Sequence, residues 1–155
     1  MAELLTLYHD HVRPEWIDYN GHMNDGYYAV AFGLATEQVQ DFLGMDADYR
    51  VRTKGTLYTV EAHLNYLHEL KEGDPIMVTA MLLGVDNKRI HLFEQMYHEE
   101  EGYLAATMEF MFLHVDQGLG RSAPIPPDIL TRLQTLEAAH AQFARPPQVG
   151  RRISM

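Results

Sequence analysis

The stretch NDGYYAVAFGLATEQVQDFLG (residues 24–44) predicts one long helix around which the rest of this chain is organised. Asn24 or Asp25 can cap the start of this helix, and Gly44 can end it in a left-handed conformation. Apolar side chains cover most of its circumference in the first three turns. A helix that is apolar nearly all round is expected to be surrounded by other elements.

The sequence on either side of this helix predicts strands. One run lies before it, at residues 4–12, and four follow Gly55, at residues 56–70, 75–83, 89–97 and 103–115. Hairpin-compatible turns separate the last four runs, so consecutive strands are expected to pair as an antiparallel meander. The pattern therefore predicts an α+β fold, with a five-stranded antiparallel sheet wrapped around one long central helix.

A short helix is predicted to close the fold, after Pro126 and Pro127. Its apolar residues share one face, and they are Ile129, Leu130, Leu133 and Leu136. The sequence predicts a single domain at residues 1–145 and a loose C-terminal tail at residues 146–155.

Composition excludes several classes of function. The formal charge of −10 argues against a nucleic acid partner and against an anionic membrane surface, because both require clustered cations. The chain has no cysteine, which rules out disulfides and thiolate chemistry and fits a cytoplasmic location. No secretory signal is expected from the first residues. The nine histidines show no metal-binding spacing, so no metal site is predicted.

The loop before the long helix, WIDYNGHMN (residues 16–24), carries the candidate catalytic group. Asp18 lies too far before the helix to be its N-cap, and the bulky side chains of Trp16 and Tyr19 could remove water from its carboxylate. A desolvated carboxylate is a stronger base or nucleophile. A bound carbonyl could lie at the positive end of the helix, beside this acid. The alternative is that Asp18 only shapes the turn.

The other candidate residues are open to two interpretations each. We interpret His22 as a residue that holds the loop, since no Ser or Cys nucleophile stands in an elbow motif. Aromatic residues near Asp18, Trp16 and Tyr28 among them, either pack in the core or form a cage for a cationic acyl group.

Three cationic residues are candidate phosphate partners for a CoA-type ligand. They are Lys88, Arg89 and Arg121. Lys88 and Arg89 lie beside a predicted hairpin turn, so the alternative is that they are ordinary solvated turn residues.

With these residues in view, the chain resembles the hot-dog-fold acyl-CoA thioesterases of the 4-hydroxybenzoyl-CoA thioesterase type. Three motifs in order carry the resemblance: D-x-x-G-H-x-N-x-x-x-Y from Asp18 to Tyr28, LKEGD at residues 70–74, and FLHVD at residues 112–116 leading through Arg121 to Pro126. In two segments, WIDYNGHM (residues 16–23) and YTVEAH (residues 58–63), the sequence is more specifically similar to the betainyl-CoA thioesterases of bacterial carnitine breakdown.

The resemblance implies a hot-dog fold that assembles as a homodimer or homotetramer, with active sites at the subunit interface. It implies that Asp18 is the catalytic carboxylate, that a backbone N–H near Asp25 polarises the thioester carbonyl, and that His22 and Asn24 hold the loop. No cofactor and no metal are implied. One departure matters: the 4-hydroxybenzoyl type has an apolar residue where His22 stands, so its aromatic acyl preference is not carried over.

The leading hypothesis is a cytoplasmic acyl-CoA thioesterase that acts on a small acyl-CoA, with betainyl-CoA as a candidate substrate. One alternative is a hot-dog dehydratase or hydratase, for which His22 and Glu37 are the candidate His and acid pair. Another alternative is a non-catalytic acyl-CoA-binding module, in which Asp18 only shapes the turn.

Overall fold

The computed structural model describes residues 2–155, which form three α-helices, one 3-10 turn (Pro14–Trp16) and one curled antiparallel sheet. The helices are α1 (Asp25–Leu43), α2 (Ala47–Thr53) and α3 (Pro127–His140). The strands are β1 (Leu5–His11), β2 (Gly55–Tyr66), β3 (Pro75–Val85), β4 (Arg89–His98), β5 (Leu104–Asp116) and the two-residue β6 (Arg121–Ser122). The five long strands lie in the order β1-β3-β4-β5-β2, and β6 pairs with β5. The predicted architecture, a five-stranded antiparallel sheet around one long helix, is confirmed. The predicted pairing of the first two strands after Gly55 is wrong, because β2 pairs with β5 and β3 pairs with β1 and β4.

The ends of α1 follow the capping residues in the sequence. The Asn24 side chain accepts a hydrogen bond from the Gly26 N–H, and Gly44 ends the helix with a φ of 90°. The concave face of the sheet covers one side of α1, where Phe32 and Ala35 are buried. The opposite side keeps apolar residues exposed in the single chain: Tyr27, Val30 and Phe42.

The sequence analysis missed helix α2. Its start is capped by Asp46, whose carboxylate accepts a hydrogen bond from the Tyr49 N–H at 2.9 Å, and it ends at Lys54 in a left-handed conformation. The apolar pattern is weak because only one residue of the seven, Tyr49, is buried.

Strand β2 ends earlier than predicted, at Tyr66 rather than at residue 70. The N–H groups of Leu67 and His68 both donate to the Ala105 carbonyl, at 2.9 and 3.0 Å, which turns the chain away from β5. The Leu70 carbonyl then accepts from the Met23 N–H at 2.8 Å. The segment after β2 is thereby tied to the loop that carries Asp18.

The C-terminal part of the chain packs on the sheet. Helix α3 buries Ile129 and Leu133, as predicted. Beyond it, Val149 packs against a small cluster on the outer face of the sheet, and the Gly150 N–H donates to the Glu109 carboxylate at 2.7 Å. The domain boundary at residue 145 stays a prediction. Within residues 2–155, no helix is both long enough and apolar enough to cross a membrane.

Candidate active site

The loop that carries Asp18 is closed at its base by backbone hydrogen bonds. The Asn24 N–H donates to the Trp16 carbonyl at 2.8 Å, and Ile17 forms a bridge with Met23. Within the loop, the Asp18 N–H donates to the His22 carbonyl at 3.1 Å. These bonds fix the Asp18 backbone immediately before the first turn of α1.

The two carboxylate oxygens of Asp18 have different partners. Oδ1 accepts from the Asn20 N–H at 2.8 Å, whereas Oδ2 accepts only a long bond of 3.4 Å from the Asn24 amide. Asp18 itself is half-buried, but Tyr19 is 98% exposed and does not cover it. The expectation that Tyr19 desolvates the carboxylate is therefore wrong for this chain. Oδ2 is the oxygen that is held less tightly and can change partner.

The start of α1 lies next to this carboxylate. The Asn24 side chain, which donates to Asp18, also accepts from the Gly26 N–H at 3.0 Å, so one residue links the acid to the helix cap. Asp25 is the first helical residue, and an N–H at this position has no acceptor within its own helix. Such N–H groups and the helix dipole favour a polarised carbonyl oxygen.

His22 lies where it can hold the loop against the segment after β2. Its Nε2 is 3.3 Å from the Glu69 carboxylate, and its side chain is 36% exposed. The neighbouring Met23 N–H donates to Leu70. Two adjacent residues therefore contact the same segment, which is the geometry of a positioning residue.

A cavity of about 320 Å³ opens beside the start of α1. Its walls include Met23, Asp25, Tyr28, Tyr66, His68 and Glu69. The Tyr66 hydroxyl donates to the Asp25 carbonyl at 3.1 Å, and the rings of Tyr28 and Tyr66 meet edge to face at 5.2 Å. Burial raises the pKa of Tyr28 to about 12, so this phenol is neutral in the physiological range.

The structure does not place every predicted site residue at this cavity. Trp16 is only 2% exposed, it stacks on Tyr27 at 6.1 Å, and the Arg13 guanidinium lies over its ring at 4.8 Å. Its ring is therefore packed and covered in this chain. Glu37 lies about 18 Å along α1 from Asp25, so the pair proposed for a dehydratase is not assembled within one chain.

The three candidate phosphate partners lie at the other end of the fold. Lys88 and Arg89 follow β3, whose 11 residues carry the chain about 36 Å from the Asp18 end of the sheet. Arg89 pairs with Asp86 at 2.7 Å, and Arg121 stands opposite Asp116 in the short β6 pairing. Within a single chain these cations are distant from Asp18.

The sequence analysis missed four residues of the cavity: Tyr66, Leu67, His68 and Glu69. The predicted strand ran through all four and would have directed their side chains to alternating faces. The available sequence signal was the LKEGD turn at residues 70–74, which favours an end of the strand before this turn. The exact end at Tyr66 is set by the hydrogen bonds from Leu67 and His68 to Ala105, which only the structure shows.

Comparison with known proteins places the chain in a family. Residues 12–133 match the model of the thioesterase-like superfamily. The chain belongs to this superfamily. The predicted hot-dog fold and the predicted enzyme class, a thioester hydrolase, are confirmed by the membership together with the similarity to solved structures.

Named proteins are similar to this chain over nearly its whole length. A Pseudomonas aeruginosa protein named betainyl-CoA thioesterase is 41% identical over 155 residues, covering 100% of this chain and 98% of that protein. A longer Rhizobium meliloti protein, named L-carnitine dehydrogenase/betainyl-CoA thioesterase, is 36% identical over 149 residues, covering 96% of this chain and 30% of that protein. A Staphylococcus aureus protein solved in complex with CoA has a TM-score of 0.93 and 32% identity, covering 100% of this chain and 97% of that chain.

Proposed function

We propose that this protein hydrolyses a small acyl-CoA thioester, with betainyl-CoA as the first candidate, and that Asp18 supplies the reacting carboxylate. The observation that carries the proposal is the placement of Asp18. Its Oδ2 accepts a single long hydrogen bond, and the donor of that bond, Asn24, also caps the start of α1. The similarity to a named betainyl-CoA thioesterase along the whole chain supports the choice of substrate.

The reaction converts a thioester and water into a carboxylic acid and a free thiol. Asp18 acts in one of two ways. As a base it takes a proton from water while the water oxygen attacks the carbonyl carbon. As a nucleophile it attacks that carbon itself, and water then cleaves the resulting anhydride and restores the carboxylate.

In both routes a negative charge develops on the thioester oxygen before the C–S bond breaks and CoA leaves as the thiol. The N–H groups at the start of α1, that of Asp25 first among them, would meet this charge. His22 and Asn24 would hold the loop and the carboxylate in register with the helix.

The test is an Asp18→Asn variant assayed with betainyl-CoA by release of free thiol. The amide keeps the size of the side chain but is neither a base nor a nucleophile, so we expect kcat to fall by about 10²–10⁴-fold. Asp48→Asn is the matched control, because Asp48 has an 85% exposed side chain on α2. Near-normal hydrolysis by Asp18→Asn would contradict the role of Asp18. Binding of betainyl-CoA without thiol release in the unaltered protein would instead contradict betainyl-CoA as the substrate.

We also propose that the protein assembles as a homodimer or homotetramer through β2. This strand ends the row of long strands, and it exposes Tyr58 and Val60 by 49% and 55%. If two β2 strands paired antiparallel, the Gly55 end of one copy would lie beside the Tyr66 end of the other. Arg121 and the hairpin with Lys88 and Arg89 would then approach the partner's Asp18 cavity, where CoA phosphates need cations.

A further inference from the structure

The cavity beside the start of α1 has an aromatic wall and an acidic rim. Tyr66 is 50% exposed, and Asp25 and Glu69 bring two carboxylates. As far as the described residues go, its lining contains no Lys or Arg. We propose that Tyr66 selects a cationic acyl group by presenting a fixed ring face to it, with Glu69 supplying negative charge. The inference rests on the proposed thioester hydrolysis and adds the residue that chooses the acyl group.

The ring of Tyr66 is held in place from two sides. Its hydroxyl donates to the Asp25 carbonyl at 3.1 Å, and the ring meets Tyr28 at 5.2 Å with an interplanar angle of 87°. Tyr28 is only 4% exposed, so its own faces are in the core, whereas Tyr66 keeps open surface. A ring that is already fixed loses little conformational entropy when a ligand contacts it.

The segment that follows Tyr66 is also rigidly held. The N–H groups of Leu67 and His68 donate to Ala105, and the Tyr103 hydroxyl donates to the Glu69 carbonyl at 3.1 Å. The His68 ring lies 4.0 Å from that of Tyr103. The Glu69 carboxylate therefore extends from a fixed backbone at the rim of the cavity.

This surface suits a quaternary ammonium group. Such a cation has no hydrogen-bond donors, so it is recognised by aromatic faces and by nearby negative charge. The reacting carbonyl is two bonds from the nitrogen in a betainyl group, so the carbonyl can lie at the helix start while the methyl groups contact Tyr66. An anionic acyl group would meet repulsion from Asp25 and Glu69 instead.

Tyr66 fits this role better than Trp16, a large aromatic residue that the sequence analysis also offered for the acyl group. The Trp16 ring already has the Arg13 guanidinium at 4.8 Å and is 2% exposed. A second cation there would have to displace the first and open the core.

The experiment compares two substrates that have the same shape and differ in charge. Betainyl-CoA carries a trimethylammonium nitrogen, and 3,3-dimethylbutyryl-CoA has carbon at that position. We expect the unaltered protein to favour betainyl-CoA in kcat/KM. In Tyr66→Leu the ratio of the two kcat/KM values should fall by about 5- to 30-fold, the loss typical of one cation–π contact. Tyr66→Phe keeps the ring face and should keep the ratio.

Glu69→Gln provides a second variant, and Glu100→Gln is its matched control in the exposed turn after β4. We expect the ratio to fall in Glu69→Gln and to stay unchanged in Glu100→Gln. Because the ratio is measured within each variant, it is independent of how much of a variant is folded.

The possible results separate the two proposals. Equal hydrolysis of both substrates by the unaltered protein would overturn the selection of a cation and leave the thioesterase proposal standing. A parallel loss on both substrates in Tyr66→Leu would overturn the role of Tyr66, since a packing residue acts on both alike. Hydrolysis of neither substrate would overturn this inference together with the proposed substrate.

Discussion

Glu94 stands out among the individual residues because its carboxyl lies wholly inside the core. It is 0% exposed on β4, and the Thr36 hydroxyl of α1 donates to its Oε1 at 3.1 Å. Among the described residues, its Oε2 has no hydrogen-bond partner. Burial raises the pKa of Glu94 well above its usual range, and the bond from Thr36 acts in the opposite direction. The folded protein therefore holds this proton to a higher pH than the unfolded chain does.

This buried acid predicts a loss of stability as pH rises. Between the unfolded-state pKa of Glu94 and its higher folded-state pKa, the folded state binds one more proton, so unfolding becomes easier by about 1.4 kcal/mol per pH unit. Glu94→Gln cannot titrate. We expect the Tm of the variant, relative to the unaltered protein, to rise by about 3–6 °C per pH unit above pH 5. Thermal unfolding followed by circular dichroism at several pH values measures this difference.

The comparison with the variant is needed because His140 acts with the opposite sign. Its Nδ1 accepts from the Leu82 N–H at 2.9 Å and its Nε2 is 3.2 Å from the Glu3 carbonyl. Burial lowers the pKa of His140, so its contribution to stability is lost as pH falls. His140 is present in both proteins and cancels in the difference. A difference in Tm that stays constant with pH would contradict the interpretation of Glu94.

At the level of elements, the junction between α2 and β2 depends on a glycine. The Tyr49 hydroxyl lies 2.7 Å from the His114 Nε2, and the His114 Nδ1 lies 2.8 Å from the Ala123 carbonyl. This buried bridge joins α2 to β5 directly across Gly55. A Cβ at Gly55 would lie 2.6 Å from the Tyr49 hydroxyl and 2.9 Å from the His114 ring.

Gly55→Ala is therefore expected to be destabilising by about 1–3 kcal/mol, the range for overpacking a core. Tyr49→Phe removes the hydroxyl that the new methyl group would meet. The double variant should lose less stability than the sum of the two single variants, because part of the clash is already gone. Chemical denaturation of the four proteins gives the coupling energy. Strict additivity would show that the clash is relieved elsewhere.

At the level of the whole molecule, two apolar surfaces remain open in the single chain. One is the edge of β2 with Tyr58 and Val60, and the other is the side of α1 with Tyr27 and Val30. An exposed, apolar strand edge invites pairing, and natural proteins often prevent it with lysine. The proposed assembly through β2 would cover this edge.

Val60→Lys is expected to convert the proposed dimer into a monomer, since a charge would be placed at the centre of the pairing edge. Val51→Lys is the matched control, because Val51 is 74% exposed on α2 and is not part of the β2 edge. Light scattering after size exclusion measures the mass of each variant. A monomeric unaltered protein, or a Val60→Lys protein with unchanged mass, would contradict assembly through this edge.

Much of the fold could be predicted from local patterns, and so could one part of the site, the loop that carries Asp18. Asn24, Gly44 and the turns between strands act over a few residues, so their signals are readable in the chain. Helix α2 and the early end of β2 could not be read, because a single buried residue and two hydrogen bonds to Ala105 decide them. Because the early end of β2 was not predicted, the cavity residues Tyr66 and Glu69 were not predicted either.

The sequence by itself determined the central helix, the hairpins β3-β4 and β4-β5 and the loop that carries Asp18, because caps, turns and apolar periodicity are local properties. It did not determine that β2 lies beside β5 rather than beside β3. Only the tertiary structure decided which side chains meet at the start of that helix. It brought Tyr66 and Glu69 to the cavity and left Lys88 at the opposite end. The physical reason is that such contacts depend on strand register and on the point where each strand leaves the sheet, which long-range hydrogen bonds control.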